Sequence, residues 1–286
     1  MVIKVKKTIF NSLWALTAVF LFIYCLLNSE SVAENSRLYL KLCGERVIPS
    51  LFVFSALSAI ICGSGAFYKL CSLLPFFGTE AALIVMGALG GFPLGATVAH
   101  GLYDEGRITK KQAEYLCAFT NNPSLSFTVS YVGGVLGDRR LGAALAALCF
   151  LSATLSAVVL RYVFLEKEER SITLYAGLTK GKGVAEAIRE GSVTMVVISG
   201  CIVFFGGICP LFPKAIRGFL ELSGGIANCQ TATEAAVLLG FSGLSVTCQV
   251  AAACKGRLSV FPFVISKVLQ SAVMGVAAYF LFDFRG

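Results

Sequence analysis

Polar and conformationally unusual residues interrupt two long apolar runs in the first part of the chain. One interruption is Gly90-Gly91-Phe92-Pro93-Leu94-Gly95 and the other is Thr120-Asn121-Asn122-Pro123-Ser124. Proline removes a backbone donor and glycine permits an unwound turn, so each run can break a helix. The positive N-terminal end of a broken helix can face an anionic ligand. At the first run, a packing kink between close helices is the alternative.

The paired asparagines of the second run carry the stronger signal, because two buried amides are costly unless their polar atoms are bound. They favour a polar ligand site or a cap on a half-helix over a plain kink. Ser242, Ser245 and Gln249 lie in another apolar run, and their spacing places them broadly on one helix face. They form either part of a ligand site or hydrogen bonds between helices.

Glu221 and His100 are two further residues that could take part in chemistry. Glu221 lies within a short apolar piece and is the candidate for ion or proton coupling. His100 is the only histidine, which excludes a multi-histidine metal site. An intramembrane serine protease is a weak hypothesis. It would use the serine of Gly240-Phe241-Ser242-Gly243 with His100 as base, but no third residue supports such a pair. We therefore predict no catalytic residue, no metal site and no cofactor.

The composition identifies the environment of these residues. The chain has 57% hydrophobic and 14% charged residues and a mean hydropathy of +0.81, against roughly 25% charged residues in soluble domains. The net charge of +8 comes from short basic groups such as Lys4–Lys7, Arg139–Arg140 and Lys180–Lys182. These suit lipid headgroups rather than nucleic acid. The 11 cysteines are scattered without a CxxC pair, as packing residues would be.

The apolar runs predict an all-α, polytopic transmembrane bundle, because a helix needs about 20 apolar residues to cross the hydrocarbon core. We expect about eight spans, near residues 9–27, 47–65, 80–101, 115–136, 141–164, 192–212, 232–253 and 259–282. Two apolar pieces are too short to cross the membrane alone and predict re-entrant or interfacial helices: Phe67–Phe77 and Ala215–Ile226. The first run is longer than the core of a signal peptide, which favours a retained helix over a cleaved one.

A polar stretch divides this single membrane domain, residues 1–286, into two comparable parts. The first helix, 9–27, precedes a first half at 37–164, a linker at 165–190 and a second half at 191–286. Each half contains an interrupted helix in a corresponding place, which predicts an inverted repeat with a site near the midplane. The basic residues do not separate cleanly between alternate loops, so they leave the orientation open.

The chain resembles the sporulation integral membrane protein YlbJ family, also called SpoVV. The resemblance is carried by Gly90–Ala96, Ile108–Glu114 and Phe119–Ser124, and more loosely by Val184–Ser192 and Gly243–Val250. This family is related to nucleoside-recognition Gate proteins and distantly to concentrative nucleoside transporters. The resemblance implies inverted repeats with helical hairpins. It also implies movement of dipicolinic acid across the outer forespore membrane during endospore formation.

The family commonly has a lysine after the first element, where this chain has Thr97. The leading hypothesis is a secondary transporter of a small anionic or polar solute, with dipicolinic acid as the named candidate. Lys214 and Arg217 are candidate cations where the solute enters. The alternatives are a membrane scaffold in spore-envelope assembly and a Gate-type transporter of another solute, such as a nucleoside. The expected partners are the solute and membrane lipid, not nucleic acid, and a homo-oligomer is compatible with the sequence.

Overall fold

The computed structural model describes residues 2–62, 69, 78–172 and 183–284. Regular structure in this part of the chain is helical, which confirms the all-α prediction. The predicted short piece Phe67–Phe77 lies outside the described residues apart from Lys69, and the basic group Lys180–Lys182 lies outside them entirely.

The chain begins with two helices that meet at a sharp bend. Helix α1 is Val2–Leu27 and α2 is Ser29–Leu42, and their axes differ by 96°. A π-helical turn, Cys43–Val47, joins α2 to α3, Ile48–Cys62. Hydropathy did not predict α2, because charged residues recur along it and the following turn and lower the average.

The first interrupted helices lie where the sequence predicted them. Helix α4, Gly78–Gly90, and α5, Leu94–Asp104, are separated at Gly91–Pro93. Helix α6, Lys110–Thr120, ends at the asparagine pair. The remaining elements of this part are a π-helical turn, Phe127–Val132; α7, Gly133–Val135; and α8, Arg139–Phe164.

The second part of the chain contains two more interrupted helices. Its helices are α9, Val184–Ile208; α10, Lys214–Leu220; α11, Leu222–Ile226; α12, Ala232–Phe241; α13, Gly243–Ala253; and α14, Phe261–Ala278. Helix α9 begins at Val184, eight residues before the start predicted near 192 for this span. The polar residues of its first turns lowered the hydropathy there.

Length and apolar character identify four helical stretches in the described residues that could cross a membrane. They are Arg139–Phe164, Val184–Leu211, Ala232–Ala253 and Phe261–Asp283, and the bent pair at the N-terminus would be a fifth. The interruptions account for part of the difference from eight, because α4, α5 and α6 are each too short to cross alone. The count of eight stays a prediction.

Two groups of helices surround the interruptions. Helix α14 packs against α6, α8 and α12, whereas α9 packs against α2, α3 and α13. The α2–α3 segment runs antiparallel to α9, because Gly207 lies beside Ser36 and Gly191 lies beside Ala56. The interrupted α5 and α13 also contact each other. The breaks therefore lie inside the bundle.

Glycine allows the closest contact between these helices. A Cβ atom at Gly95 of α5 would overlap the Thr120 hydroxyl and lie 2.8 Å from the Thr120 carbonyl carbon. Gly101, on the same helix, has open space at the corresponding position. A substitution at Gly95 therefore tests the contact between the helices, whereas a substitution at Gly101 tests helix propensity alone.

We expect Gly95→Ala to lower the free energy of unfolding by about 1–3 kcal/mol, because the added methyl group overpacks a backbone contact. Gly101→Ala is the matched control, and should stabilise by about 0.5–1 kcal/mol through helix propensity alone. Thermal unfolding of both variants in detergent micelles measures the difference. Equal unfolding temperatures would contradict this contact.

Candidate functional site

A cavity of about 170 Å³ lies where three interruptions of the helices come together. Gly91 and Phe92 line it from the α4–α5 break, and Ser124 lines it from the break after α6. Glu221 lines it from between α10 and α11, and Gln249 lines it from α13. Five of the residues predicted from sequence therefore face one space.

The first break is shaped by close packing on the second. Gly90 ends α4, and Gly91 follows with a φ of 72°, a conformation that favours glycine. A Cβ atom at Gly91 would lie 3.1 Å from the Cβ of Ser124. Pro93 occupies the position before the first residue of α5, after a cis Phe92–Pro93 peptide bond. Gly91 and Phe92 consequently meet the second interruption at the cavity wall.

Asn121 joins these two breaks by capping one helix from another. Its Oδ1 accepts a hydrogen bond from the backbone N–H of Ala96 at 3.0 Å, near the start of α5. Its Nδ2 donates to the Cys117 carbonyl at 2.8 Å. Thr120 is also internally bonded, since its hydroxyl donates to the Leu116 carbonyl. These two predicted site residues hold the breaks together and are not part of the cavity lining.

The other residues of the second break have different partners. Asn122 donates through Nδ2 to the Phe119 carbonyl at 2.8 Å and accepts through Oδ1 from Lys267 at 3.0 Å. The Ser124 hydroxyl accepts from the backbone N–H of Phe127 at 3.1 Å. Ser124 thus starts the next helical turn while facing the cavity.

Glu221 caps the short helix α11. One carboxylate oxygen accepts from the N–H of Ser223 at 3.1 Å and the other from the N–H of Gly224 at 2.7 Å. The Tyr131 hydroxyl donates to the Ser223 carbonyl at 2.9 Å from the opposite wall. This geometry gives Glu221 a structural role, and its coupling to an ion or proton stays a prediction.

The predicted polar residues of the second half lie around the α12–α13 break. Ser242 has a left-handed φ of 70°, and its hydroxyl donates to the Leu239 carbonyl at 3.0 Å. Gln249 donates through Nε2 to the Ser245 hydroxyl at 3.4 Å, so these two share a helix face as their spacing predicted. Gln249 reaches the cavity, whereas Ser242 and Ser245 form bonds within and beside their own helix.

The serine and histidine of the weak protease hypothesis have separate partners. His100 Nδ1 lies 3.3 Å from an Asp104 carboxylate oxygen, while the Ser242 hydroxyl bonds to its own helix. This geometry provides no support for a serine–histidine pair.

Two basic residues at this site were missed by the sequence analysis. Arg46 lines the cavity from the π-helical turn after α2. Lys267 lies on α14 behind Phe92, with its Nζ 5.5 Å from the centre of that ring. The signal in the sequence for Lys267 is that it is the one charged residue inside the apolar run Phe261–Ala278.

A second cavity of about 670 Å³ lies on the other side of α10 and α11. Lys214 and Arg217, the predicted cations where solute enters, both line it, together with Glu234. The Arg217 guanidinium also donates to the carbonyls of Phe212 and Pro210, which holds the preceding loop. The short helix α11 thus contributes Leu222 and Ser223 to the lining of the first cavity and Gly224 and Gly225 to that of the second.

Comparison with known proteins shows that this chain is similar to a sporulation protein. Over an alignment of 329 positions, it is 26% identical to sporulation integral membrane protein YlbJ of Bacillus subtilis (strain 168). The match covers 91% of this chain and 80% of the relative. This similarity supports membership of the YlbJ family. No protein-family model and no solved structure matches the chain.

The similarity to YlbJ and the apolar helices together support an integral membrane protein of sporulating bacteria. The resemblance to the YlbJ family predicted from the sequence is confirmed for the chain as a whole. Two of the elements from which it was predicted, Gly90–Ala96 and Phe119–Ser124, are joined by Asn121.

We expect Asn121→Ala to destabilise the protein by about 1–3 kcal/mol, because it leaves a buried donor and a buried acceptor without partners. Hydrogen–deuterium exchange should become faster at the Ala96 amide. The control is Asn35→Ala, which removes a hydrogen bond to Ser31 in an exposed region of α2 and should change stability by less than about 0.5 kcal/mol. Unchanged exchange at Ala96 would show that Asn121 is not its cap.

Proposed function

We propose that this protein is a secondary transporter of a small anionic or polar solute, with dipicolinic acid as the leading candidate and the outer forespore membrane as its location. The observation that carries this proposal is the cavity lined by interrupted helices. Irregular backbone inside a membrane persists where it is buried in protein or lines a polar space. Transporters place their solute sites at such interruptions.

The size of the cavity supports a solute built on a single ring. Its volume is about 170 Å³, and a protein cavity of about 150 Å³ holds a benzene molecule. Dipicolinic acid is a pyridine ring with two carboxyl groups, so it is close to this size. A nucleoside, with a base and a sugar, is larger and would require the cavity to expand.

The lining of the cavity supports a solute that accepts hydrogen bonds. Arg46 supplies a guanidinium group, and the hydroxyls of Ser126 and Ser130 lie along the same wall as Tyr131. Gln249 adds an amide on α13. Guanidinium groups bind carboxylates through two parallel charge-assisted hydrogen bonds. Glu221 carries the opposite charge, but both of its oxygens accept from backbone N–H groups at the start of α11.

A route to the cavity is suggested by the second cavity beyond α10 and α11. That space is lined by Lys214 and Arg217, which would attract an anion. Movement of the short segment between the cavities would connect them, and solute could then pass from one to the other. This arrangement resembles gating of a fixed site by a small element.

A scaffold without transport activity is the alternative function. It is favoured by the internal hydrogen bonds of Asn121, Thr120 and Ser242, which hold helices together without a solute. A scaffold has no need of a cavity with an arginine in its lining, however. Measurement of solute movement separates the two functions.

Purified protein in liposomes should show saturable uptake of labelled dipicolinate. We expect Arg46→Gln to raise the KM about tenfold or more, because a charge-assisted hydrogen bond contributes about 1.5–3 kcal/mol and each 1.4 kcal/mol is tenfold. Arg189→Gln removes the same charge from the exposed surface of α9, away from the residues lining the cavity. It should leave the KM within about twofold, as distant surface changes do.

Uptake equal to that of protein-free liposomes would reject transport of this solute and favour the scaffold. Equal effects of Arg46→Gln and Arg189→Gln would instead retain transport and reject Arg46 as a binding residue. A nucleoside offered in the same assay tests the alternative solute.

A further inference from the structure

Lys267 is a buried cation inside a helix that is otherwise apolar or uncharged. It lies on α14, Phe261–Ala278, and its residue is 1% exposed. A charge at this depth in a membrane bundle is costly to maintain. Such residues characteristically face the interior and mark the path of a solute or ion.

Neutral groups hold the Lys267 ammonium in place. Its Nζ donates to Asn122 Oδ1 and to Gln270 Oε1, each at 3.0 Å. It lies 5.5 Å from the ring centres of Phe92 and Phe263. Among the described residues, no carboxylate lies within ion-pair distance of it. Its charge is therefore fixed in position but not cancelled by an adjacent acid.

Phe92 connects this charge to the central cavity. The Phe92 side chain contacts Lys267 and also lines the cavity. Pro123, next to Asn122 in sequence, lines the cavity too. A carboxylate in contact with the Phe92 ring would lie no more than roughly 9 Å from Nζ, since the contact adds about 3.5 Å. At an effective dielectric constant of about 20, that distance corresponds to roughly twentyfold in affinity for each unit of charge.

We propose that Lys267 sets the preference of the cavity for anions, acting through the ring of Phe92. This inference rests on the proposed transport function and assigns the charge selectivity of its site to one residue. Arg46 is exposed, so solvent and salt screen its charge. Lys267 is enclosed, so solvent and salt screen its charge less than that of Arg46.

Lys267 is thus a positioning residue for charge, and it does not need to touch the solute. The amide oxygens of Asn122 and Gln270 keep the ammonium against the ring, which gives Asn122 a second function beside its bond to Phe119. Loss of the charge should affect charged solutes and spare neutral ones of the same shape. A purely structural lysine would affect both equally.

The test compares dipicolinate with pyridine-2,6-dicarboxamide, a neutral compound of nearly the same shape, in liposomes containing the purified protein. We expect Lys267→Met to raise the KM for dipicolinate at least about tenfold and to leave the KM for the dicarboxamide within about twofold. Lys267→Arg keeps the charge and should restore much of the preference for dipicolinate. Lys110→Met, at an exposed lysine of α6, is the control for loss of one positive charge.

The outcomes separate this inference from the function on which it rests. If the wild-type protein takes up neither compound above the level of empty liposomes, both proposals fail. If it transports dipicolinate but Lys267→Met weakens both compounds equally, transport stands and charge selection by Lys267 is rejected. Should Lys267→Met fail to fold, Lys267→Gln replaces it, because its amide can still donate to Asn122 Oδ1, and the same ratio of KM values decides.

Discussion

The interrupted helices of this protein depend on one requirement: a backbone group freed inside a membrane bundle must find a partner in the protein. Asn121 meets this requirement for α5 by accepting from the Ala96 N–H across the helix boundary. Glu221 does the same for α11 with both of its oxygens. Because these side chains replace the missing turns of helix, the chain can leave helical geometry around a cavity without exposing unpaired groups.

The sequence predicted the positions of the breaks well, because the residues that cause them are local. Gly91 requires a left-handed φ and Pro93 lacks a donor, so their effect needs no knowledge of the neighbouring helices. The partner of Asn121 could not be predicted in this way, since Ala96 lies 25 residues earlier. The sequence identified an amide that needed bonds, but only packing determines which groups provide them.

Averages over long windows explain the other differences between prediction and structure. The charges of α2 concealed a helix, and those at the start of α9 shifted its predicted beginning. The same averaging concealed Lys267, because one charge changes the mean of an apolar run very little. Its importance comes from the partners that folding brings to it, Asn122 and Gln270, and not from its immediate sequence.

The contact of Gly87 and Gly95 with Thr120 has a mechanical consequence. Backbone packing without intervening side chains on both sides of the first break leaves α4, α5 and the end of α6 little room to slide past one another. These segments therefore behave as one rigid block. The same close packing recurs in the second part of the chain, where a Cβ atom at Gly225 of α11 would overlap the Cα atom of Gly218 of α10, so these two short helices are also held to each other as one rigid piece.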